Sequence, residues 1–266
     1  MKIGFIGGGN MANAIIGGII SAGLYNPEEI YVTDVNSEIL KSYEEKGINT
    51  GSGYETALSG DIVVFAVKPF ILPNVLNELK DKYSEKIKDK VFASIVAGTA
   101  IEKIKTGLGF DAKVVRIMPN TPALVLSAMS VLAKECAPTT EEEFLAVKNI
   151  FGAIGKTEIV SESLMSAVTS VSGSGPAYVY MMIEAMADAG VRGGLSREAA
   201  QLLAAQTVLG SAKMVLDTKK HPGELKDMVC SPKGTTIEAV AELEKAGFRN
   251  ALISAIKKCY DKAENI

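Results

Sequence analysis

The sequence predicts an α/β protein in which an N-terminal Rossmann-like, doubly wound sheet precedes an all-helical C-terminal domain. Three observations lead to this prediction. A strand, a glycine-rich turn and a helix follow one another at the start of the chain. Apolar runs typical of buried parallel strands then alternate with helical segments up to residue 160. Beyond that point the patterns are helical, with no convincing strand.

Composition excludes several classes of function. The net charge is −3 and the pI is about 5.5, so we expect no nucleic-acid partner. Cys136, Cys230 and Cys259 are far apart and lack C-x-x-C spacing, which indicates a reducing compartment, and we expect a cytoplasmic protein. His221 is the only histidine, so we expect no metal site. We expect no signal peptide, because the first predicted strand begins at residue 2.

One uncharged stretch, residues 163–183, has the length of a membrane span. It contains several serines and glycines, a threonine and a proline, which are unfavourable in a continuous apolar helix. We therefore expect a loop followed by a buried helix, and no membrane partner.

The glycine turn carries the first functional prediction. Residues 2–6 form the predicted strand and residues 14–20 lie in the predicted helix. The turn between them, Gly7-Gly8-Gly9-Asn10-Met11-Ala12, is a form of the G-x-G-x-x-A dinucleotide-binding fingerprint. The first glycine allows a tight turn, the third brings the backbone close to a pyrophosphate, and the alanine lets helix and strand pack closely. We therefore predict a dinucleotide-binding domain over residues 1–160.

Asp34 ends the second predicted strand, residues 30–34, a little over twenty residues after the glycines. An acid at this position hydrogen-bonds the adenosine ribose and repels a 2′-phosphate, which favours NADH over NADPH. The alternative is that Asp34 caps the next helix.

The remaining elements of this domain alternate regularly. Predicted strands cover residues 61–67, 91–96, 113–118, 129–133 and 157–160, and predicted helices cover residues 38–46, 71–82, 101–108 and 141–151. Ligands bind beyond the carboxyl ends of such strands, so Val67-Lys68-Pro69, Ala97-Gly98 and residues 120–122 are candidate cofactor contacts. Lys68 could attract a phosphate or a carboxylate, or it could be a solvated loop lysine.

The helical domain, residues 161–266, has predicted helices over residues 176–189, 196–217, 225–229, 236–246 and 249–263. The second of these is apolar almost all round. Such a helix is buried on every side, and a domain of this size cannot easily bury it alone. We therefore expect this helix to pack against another subunit. Lys213 on this helix could extend to the surface or point its charge into a site.

A loop at residues 230–238 is the second candidate site. Thr235 and Glu238 have the spacing of a capping box, and Gly234 lets the chain turn. Backbone N–H groups and the hydroxyls of Ser231, Thr235 and Thr236 would converge at a helix N-terminus, which suits a small carboxylate. The alternative is an ordinary well-capped helix.

These motifs together resemble the pyrroline-5-carboxylate reductase family over essentially the whole chain. The resemblance rests on Phe5-Ile6-Gly7-Gly8-Gly9-Asn10-Met11, Ala66-Val67-Lys68-Pro69, residues 118–123, residues 171–178, residues 221–227, the Ser231–Ile237 loop and residues 247–249. It implies NAD(P)H-dependent reduction of 1-pyrroline-5-carboxylate to L-proline, the last step of proline biosynthesis. It also implies homodimers built through the helical domain, which can assemble further into a decamer.

The resemblance also assigns roles to residues. The implied cofactor contacts are Ile6, Gly7, Gly8, Gly9, Asn10, Met11, Asp34, Ala66, Val67, Lys68, Pro69, Ile95, Val96 and Ala97. The implied substrate contacts are Glu162, Lys213, Ser231, Gly234, Thr235 and Thr236. Of these, Thr236 is the implied catalytic partner of the ring nitrogen.

Two departures from the family pattern stand out. Lys233 replaces a glycine in the substrate loop, which matters if this residue needs positive φ. Asp34 weakens the family's usual preference for NADPH.

Two other functions remain as alternatives: a β-hydroxyacid or imine reductase, and a nucleotide-sensing protein with a degenerate site. The first typically needs a lysine on the first helix after the domain boundary, where residues 176–189 have none. Retention of Ser231, Gly234, Thr235 and Thr236 counts against the second.

Overall fold

The structure is a computed structural model, which describes residues 1–135 and 138–265. It divides into two compact units. The first consists of residues 1–173 together with the C-terminal segment from Tyr260, and the second of Ser174–Cys259. This division falls later in the chain than the boundary expected at residue 160. Cys230 and Cys259 are free thiols, and Cys136 lies outside the described residues.

The first unit is built on one eight-stranded sheet. Its strands are β1 (Ile3–Ile6), β2 (Ile30–Thr33), β3 (Asn49–Gly51), β4 (Ile62–Phe65), β5 (Val91–Ser94), β6 (Lys113–Met118), β7 (Ala128–Ala133) and β8 (Gly155–Val160). The order is β3-β2-β1-β4-β5-β6-β7-β8, and its first six positions are the doubly wound order 3-2-1-4-5-6. The fold class predicted from the sequence is confirmed.

Two details of the sheet were not predicted. β3 is short and carries polar residues, so no apolar run marks it in the sequence. β7 pairs antiparallel with β6, whereas the other neighbouring strands are parallel. The connection from β6 to β7 contains only a 3₁₀ turn, Thr121–Val125, which is too short for a parallel crossover. The sheet is therefore mixed.

Helices cover both faces of this sheet. They are α1 (Asn10–Ser21), α2 (Ser37–Glu44), α3 (Tyr54–Ala57), α4 (Leu72–Ile87), α5 (Ile101–Leu108), α6 (Glu141–Gly152) and α7 (Met165–Val168). Successive strand residues alternate between two cores: Phe5 and Val64 pack with α1 and α6, while Ile6 and Phe65 pack with α4 and α5. Both faces of the central strands are therefore buried, which explains their continuous apolar sequence.

The second unit is helical, as predicted. Its helices are α8 (Gly175–Arg192), α9 (Arg197–Thr218), α10 (Pro222–Val229) and α11 (Thr235–Lys245), followed by α12 (Phe248–Ala263), which begins in this unit. Ser196 caps α9 by accepting a hydrogen bond from the backbone N–H of Ala199. Only Ala200 and Ala204 of α9 are buried, whereas Leu202 and Leu209 are more than half exposed. Within the described chain, most of the apolar surface of α9 is therefore exposed.

Candidate functional site

The first candidate site lies at the carboxyl ends of four neighbouring strands. Ile6 of β1 is level with Thr33 of β2 and Phe65 of β4, and Phe65 is level with Ser94 of β5. The chain segments that follow these strands therefore start at one edge of the sheet. Together with Ile6, the last residue of β1, they contain the predicted cofactor residues Gly7, Gly8, Gly9, Asn10, Met11, Asp34, Ala66, Val67, Lys68, Pro69, Ile95, Val96 and Ala97.

The glycine turn has the geometry that its sequence predicts. Gly7 has φ of 100°, and a Cβ there would lie 2.6 Å from the carbonyl oxygen of Ala66. A side chain is therefore excluded at this position. Gly9 is exposed, and no atom lies within 4 Å of the place where its Cβ would be. The turn thus leaves open space beside the backbone of Gly9.

Helix α1 begins at this open space without a capping side chain. Gly9 is its N-cap residue, no side chain bonds the first turn, and the first turn contains no acidic residue. The first backbone N–H groups of a helix lack partners within the helix and carry its positive dipole end. The arrangement therefore fits the pyrophosphate of a dinucleotide.

Asp34 links the end of β2 to the glycine turn. Its Oδ2 accepts a hydrogen bond from the backbone N–H of Gly8 at 2.7 Å, and its Oδ1 accepts one from that of Asn36 at 2.9 Å. The side-chain cap of α2 is Asn36, which bonds the backbone N–H of Glu38. The alternative that Asp34 caps this helix is therefore wrong.

Tyr43 contacts the glycine turn, and no sequence motif predicts this contact. It is the one buried residue of α2, and its hydroxyl donates a hydrogen bond to the carbonyl oxygen of Gly8 at 2.9 Å. Ile39, Leu40 and Tyr43 stand three and four residues apart, which predicts a buried helix face. No sequence signal identifies the carbonyl that the hydroxyl reaches.

The loops after β4 and β5 lie next along this edge. The backbone N–H of Ala66 bonds the carbonyl of Ile6 at 2.9 Å, and that of Ile95 bonds the carbonyl of Phe65 at 3.2 Å. Lys68 is exposed, and within the described chain its ammonium has no hydrogen-bond or ion-pair partner. Both interpretations of Lys68, as an anion contact or a solvated lysine, stay open.

The second candidate site is the loop before α11, in the helical unit. Gly234 is the N-cap residue, and no side chain caps the helix. The capping-box prediction for Thr235 and Glu238 is therefore wrong, because Thr235 is already the first helical residue. The backbone N–H of Gly234 bonds the carbonyl of Ser231 at 3.0 Å, which closes a tight turn. The uncapped helix start and the hydroxyls of Ser231, Thr235 and Thr236 lie together on this loop.

Lys233 occupies the strained position of the same turn. Its φ is 56°, in the left-handed region that favours glycine. A Cβ on the following Gly234 would lie 2.3 Å from the Ser231 hydroxyl oxygen. A side chain at 234 would therefore displace the Ser231 hydroxyl, and the left-handed backbone at 233 would accept glycine.

The two remaining predicted substrate residues take part in ion pairs. Glu162, in the first unit, accepts hydrogen bonds through Oε1 from the backbone N–H of Ile101 at 2.8 Å and from Arg116 at 3.1 Å. Lys213, in the second unit, pairs with Asp217 one turn further along α9, and both side chains are exposed. Lys213 therefore reaches the surface of its own chain.

The described residues contain no group of three or more His, Cys, Asp or Glu side chains that could hold a metal ion. One helix, α9, is long and apolar enough to cross a membrane by length and composition. Apolar helices of soluble proteins can have the same length and composition.

Comparison with known proteins identifies the class and then the family. Residues 2–98 match the family model described as "NADP oxidoreductase coenzyme F420-dependent". With the Rossmann-type sheet and its glycine turn, this match defines the chain as an NAD(P)-dependent oxidoreductase. Residues 162–266 match the model described as "Pyrroline-5-carboxylate reductase dimerisation".

Full-length relatives agree with this match. The chain is 48% identical to pyrroline-5-carboxylate reductase of Escherichia coli, covering 100% of this chain and 98% of the relative. It is 44% identical to the enzyme of that name from Methanosarcina acetivorans, covering 100% and 97%. The chain therefore belongs to the pyrroline-5-carboxylate reductase family.

Solved structures carry the same name. A pyrroline-5-carboxylate reductase from Coxiella burnetii superposes with a TM-score of 0.90 at 36% identity, covering 99% of this chain and 97% of that one. The Plasmodium falciparum pyrroline carboxylate reductase, solved with NADP bound, superposes with a TM-score of 0.89 at 33% identity, covering 100% and 97%.

Proposed function

We propose that this protein reduces 1-pyrroline-5-carboxylate to L-proline with NADH or NADPH, as the last step of proline biosynthesis in the cytoplasm. Membership of the family supports the reaction. The structural observation that supports the substrate class is the uncapped start of α11 behind a loop of hydroxyl side chains. Such a site suits a small carboxylate.

The cofactor contacts proposed are those at the carboxyl edge of β1, β2, β4 and β5. The open space beside Gly9 and the uncapped start of α1 fit a pyrophosphate, and Asp34 lies where an adenosine ribose is expected. The nicotinamide, when bound, supplies a hydride to the imine carbon of the substrate. The protein's own residues then need to bind, orient and protonate the substrate.

The substrate contacts proposed are Ser231, Gly234, Thr235 and Thr236. The backbone N–H groups and hydroxyls of this loop bind the carboxylate. The Thr236 hydroxyl bonds the ring nitrogen and helps to supply its proton, so that the C=N bond gains one hydride at carbon and one proton at nitrogen. A protonated imine is the better electrophile, which explains the need for a polar group at the nitrogen.

Glu162 and Lys213 are proposed as further substrate contacts, as family resemblance implies. Glu162 holds the first N–H of α5 and pairs with Arg116, and Lys213 pairs with Asp217. The bonds of Glu162 tie it to α5 and β6, whereas the Lys213 pair is exposed on α9.

We propose that the protein accepts both NADH and NADPH and that Asp34 favours NADH. Its carboxylate is held in place by the backbone of Gly8 and Asn36. A fixed negative charge at this position opposes a 2′-phosphate.

The assembly proposed is a homodimer through the helical unit, which could extend to a decamer. The exposed leucines of α9 and the family model named for dimerisation support this assembly. A second copy, and not a bilayer, is the proposed cover for α9. Light scattering coupled to size exclusion should give a dimer or a multiple of it, whereas partition into vesicles would contradict the proposal.

The experiment that tests the reaction is steady-state turnover of the purified protein. Oxidation of NADH and NADPH is followed with 1-pyrroline-5-carboxylate and, as the matched comparison, with 1-pyrroline, which lacks the carboxylate. We expect kcat/KM to be at least about tenfold higher for 1-pyrroline-5-carboxylate, because 1-pyrroline cannot form the charge-assisted hydrogen bonds that the loop makes to a carboxylate. No turnover with either nucleotide would overturn the proposal.

A further inference from the structure

Tyr43 makes a contact that the proposed reaction does not use. Tyr43 is about 1% exposed, and its hydroxyl donates to the carbonyl oxygen of Gly8, the middle glycine of the turn, at 2.9 Å. A buried hydroxyl of this kind needs a partner, and a buried carbonyl needs a donor. The bond therefore satisfies both groups and ties α2 to the glycine turn.

Because the peptide bond is planar, the hydrogen bond at the Gly8 carbonyl also fixes the direction of the Gly9 N–H. The carbonyl of Gly8 and the N–H of Gly9 belong to one planar trans peptide, so they point in opposite directions. The carbonyl points at the buried Tyr43 hydroxyl. The N–H of Gly9 must then point away from Tyr43. Gly9 is the exposed residue of the turn, with open space beside it.

The other side of Gly8 is held equally firmly. Its N–H donates to Asp34 at 2.7 Å. A Cβ on Gly8 would lie 2.7 Å from a methyl carbon of Ile39 and 2.9 Å from the ring of Tyr43. The residue is thus fixed by a hydrogen bond at each of its peptide groups and by packing against α2.

Tyr43 remains a hydrogen-bond donor under physiological conditions. Burial, and then the nearby negative charge of Asp34, raise the pKa of its hydroxyl above the ordinary value of 10.0. A neutral hydroxyl donates, whereas a phenolate would not.

We propose that Tyr43 is a positioning residue for dinucleotide binding: its hydroxyl orients the Gly8–Gly9 peptide so that the Gly9 N–H faces the pyrophosphate. This inference rests on the cofactor site of the proposed function. It assigns Tyr43 a role in nucleotide affinity, separate from its contribution to the core.

The test compares Tyr43→Phe with Tyr25→Phe in the full-length protein. Tyr25 is a partly buried tyrosine packed against the same core, and it does not bond the glycine turn. Affinity for NADH and for ADP-ribose, which keeps the pyrophosphate, is measured by calorimetry. We expect Tyr43→Phe to raise Kd about five- to tenfold for both ligands, because the Gly9 N–H is no longer held toward the pyrophosphate. The value of kcat at saturation should stay within about twofold of the wild type. Tyr25→Phe should leave Kd unchanged.

Hydrogen exchange gives a second test that needs no variant. In the wild-type protein, ADP-ribose should slow exchange of the Gly9 amide, and AMP, which lacks the pyrophosphate, should slow it less. Tyr43→Met, which fills the pocket without a hydroxyl, replaces Tyr43→Phe if that variant does not fold.

The outcomes separate the inference from the proposed function. Wild-type affinity in a folded Tyr43 variant, or no protection of Gly9 in the wild type, would overturn the inference. A wild-type protein that binds neither NADH nor NADPH would instead overturn the proposed cofactor site.

Discussion

The backbone N–H of Gly8 donates to the carboxylate of Asp34 at 2.7 Å, which fixes the glycine turn to the end of β2. The other carboxylate oxygen accepts from Asn36 at 2.9 Å. Each oxygen has a second lone pair, so Asp34 can accept further bonds from ribose hydroxyls. The residue therefore holds the turn and places a fixed negative charge at the same edge.

The first prediction concerns this charge. Asp34→Asn should raise the ratio of kcat/KM for NADPH to that for NADH about tenfold, because the amide does not repel a 2′-phosphate. Steady-state kinetics with both nucleotides measures the ratio. Asp61→Asn is the matched control, since Asp61 also accepts a backbone N–H, from Lys2 at 2.8 Å, but lies at the opposite end of the strands. An unchanged ratio in Asp34→Asn would show that this charge does not select the nucleotide.

The second prediction concerns the hydroxyl of Thr236. Thr236→Ala should lower kcat about ten- to a hundredfold, because a donor to the ring nitrogen is lost, while KM for the nucleotide stays constant. Thr236→Ser keeps the hydroxyl and should recover most of the activity. Equal turnover of the wild type and Thr236→Ala would contradict the role proposed for this residue.

The third prediction concerns the strained turn at Lys233. Lys233→Gly should raise the free energy of unfolding by about 0.5–1 kcal/mol. Glycine adopts positive φ without steric cost, and this gain exceeds the larger chain entropy that glycine loses on folding. Lys233→Ala keeps a Cβ and should give no such gain. Urea denaturation of the three proteins measures the difference, and a gain in both variants would show that the lysine side chain, not φ, is unfavourable.

The fourth prediction uses the acid side of the stability curve. Burial alone would raise the pKa of Glu143, but hydrogen bonds from Lys113 and Thr140 lower it below its ordinary value of 4.5. When folding lowers the pKa of a carboxyl group, the ionised group stabilises the folded state. This stabilisation is complete at a pH above the pKa of the unfolded state and is lost as the pH falls through the pKa of the folded state. Glu143→Gln should therefore lower Tm at neutral pH, and its deficit should shrink as the pH falls below about 4.5.

Glu142→Gln provides the control for this experiment. Glu142 is the preceding residue of α6 and is exposed, so its Tm difference from the wild type should be small at every pH. Thermal denaturation over a pH series compares the three proteins. A Glu143→Gln deficit that is constant with pH would assign its effect to packing.

Much of the fold could be predicted because parallel strands buried on both faces leave continuous apolar runs. Residues 101–108 and 113–118 were predicted with the bounds that α5 and β6 have. The antiparallel pairing of β7 could not be predicted in this way. Strand direction depends on the path of the connection, and the alternation of apolar runs does not record it.

The candidate sites were predictable to different degrees. Glycine positions, strand ends and the loop before α11 are visible because they depend on local sequence. The contact of Tyr43 with Gly8 joins residues far apart in the chain. The capping box predicted for α11 is wrong because the helix starts one residue earlier than predicted, at Thr235. Hydrogen bonds of this kind are set by packing, which periodicity does not specify.

The most direct measurement follows the transferred hydrogen. The purified protein is incubated with 1-pyrroline-5-carboxylate and NADH or NADPH in which deuterium replaces both hydrogens at the reactive nicotinamide carbon, and the product is analysed by mass spectrometry and NMR. The account predicts L-proline with one deuterium, at the former imine carbon, and one nicotinamide oxidised per proline. Absence of proline, or proline without deuterium at that carbon, would contradict it.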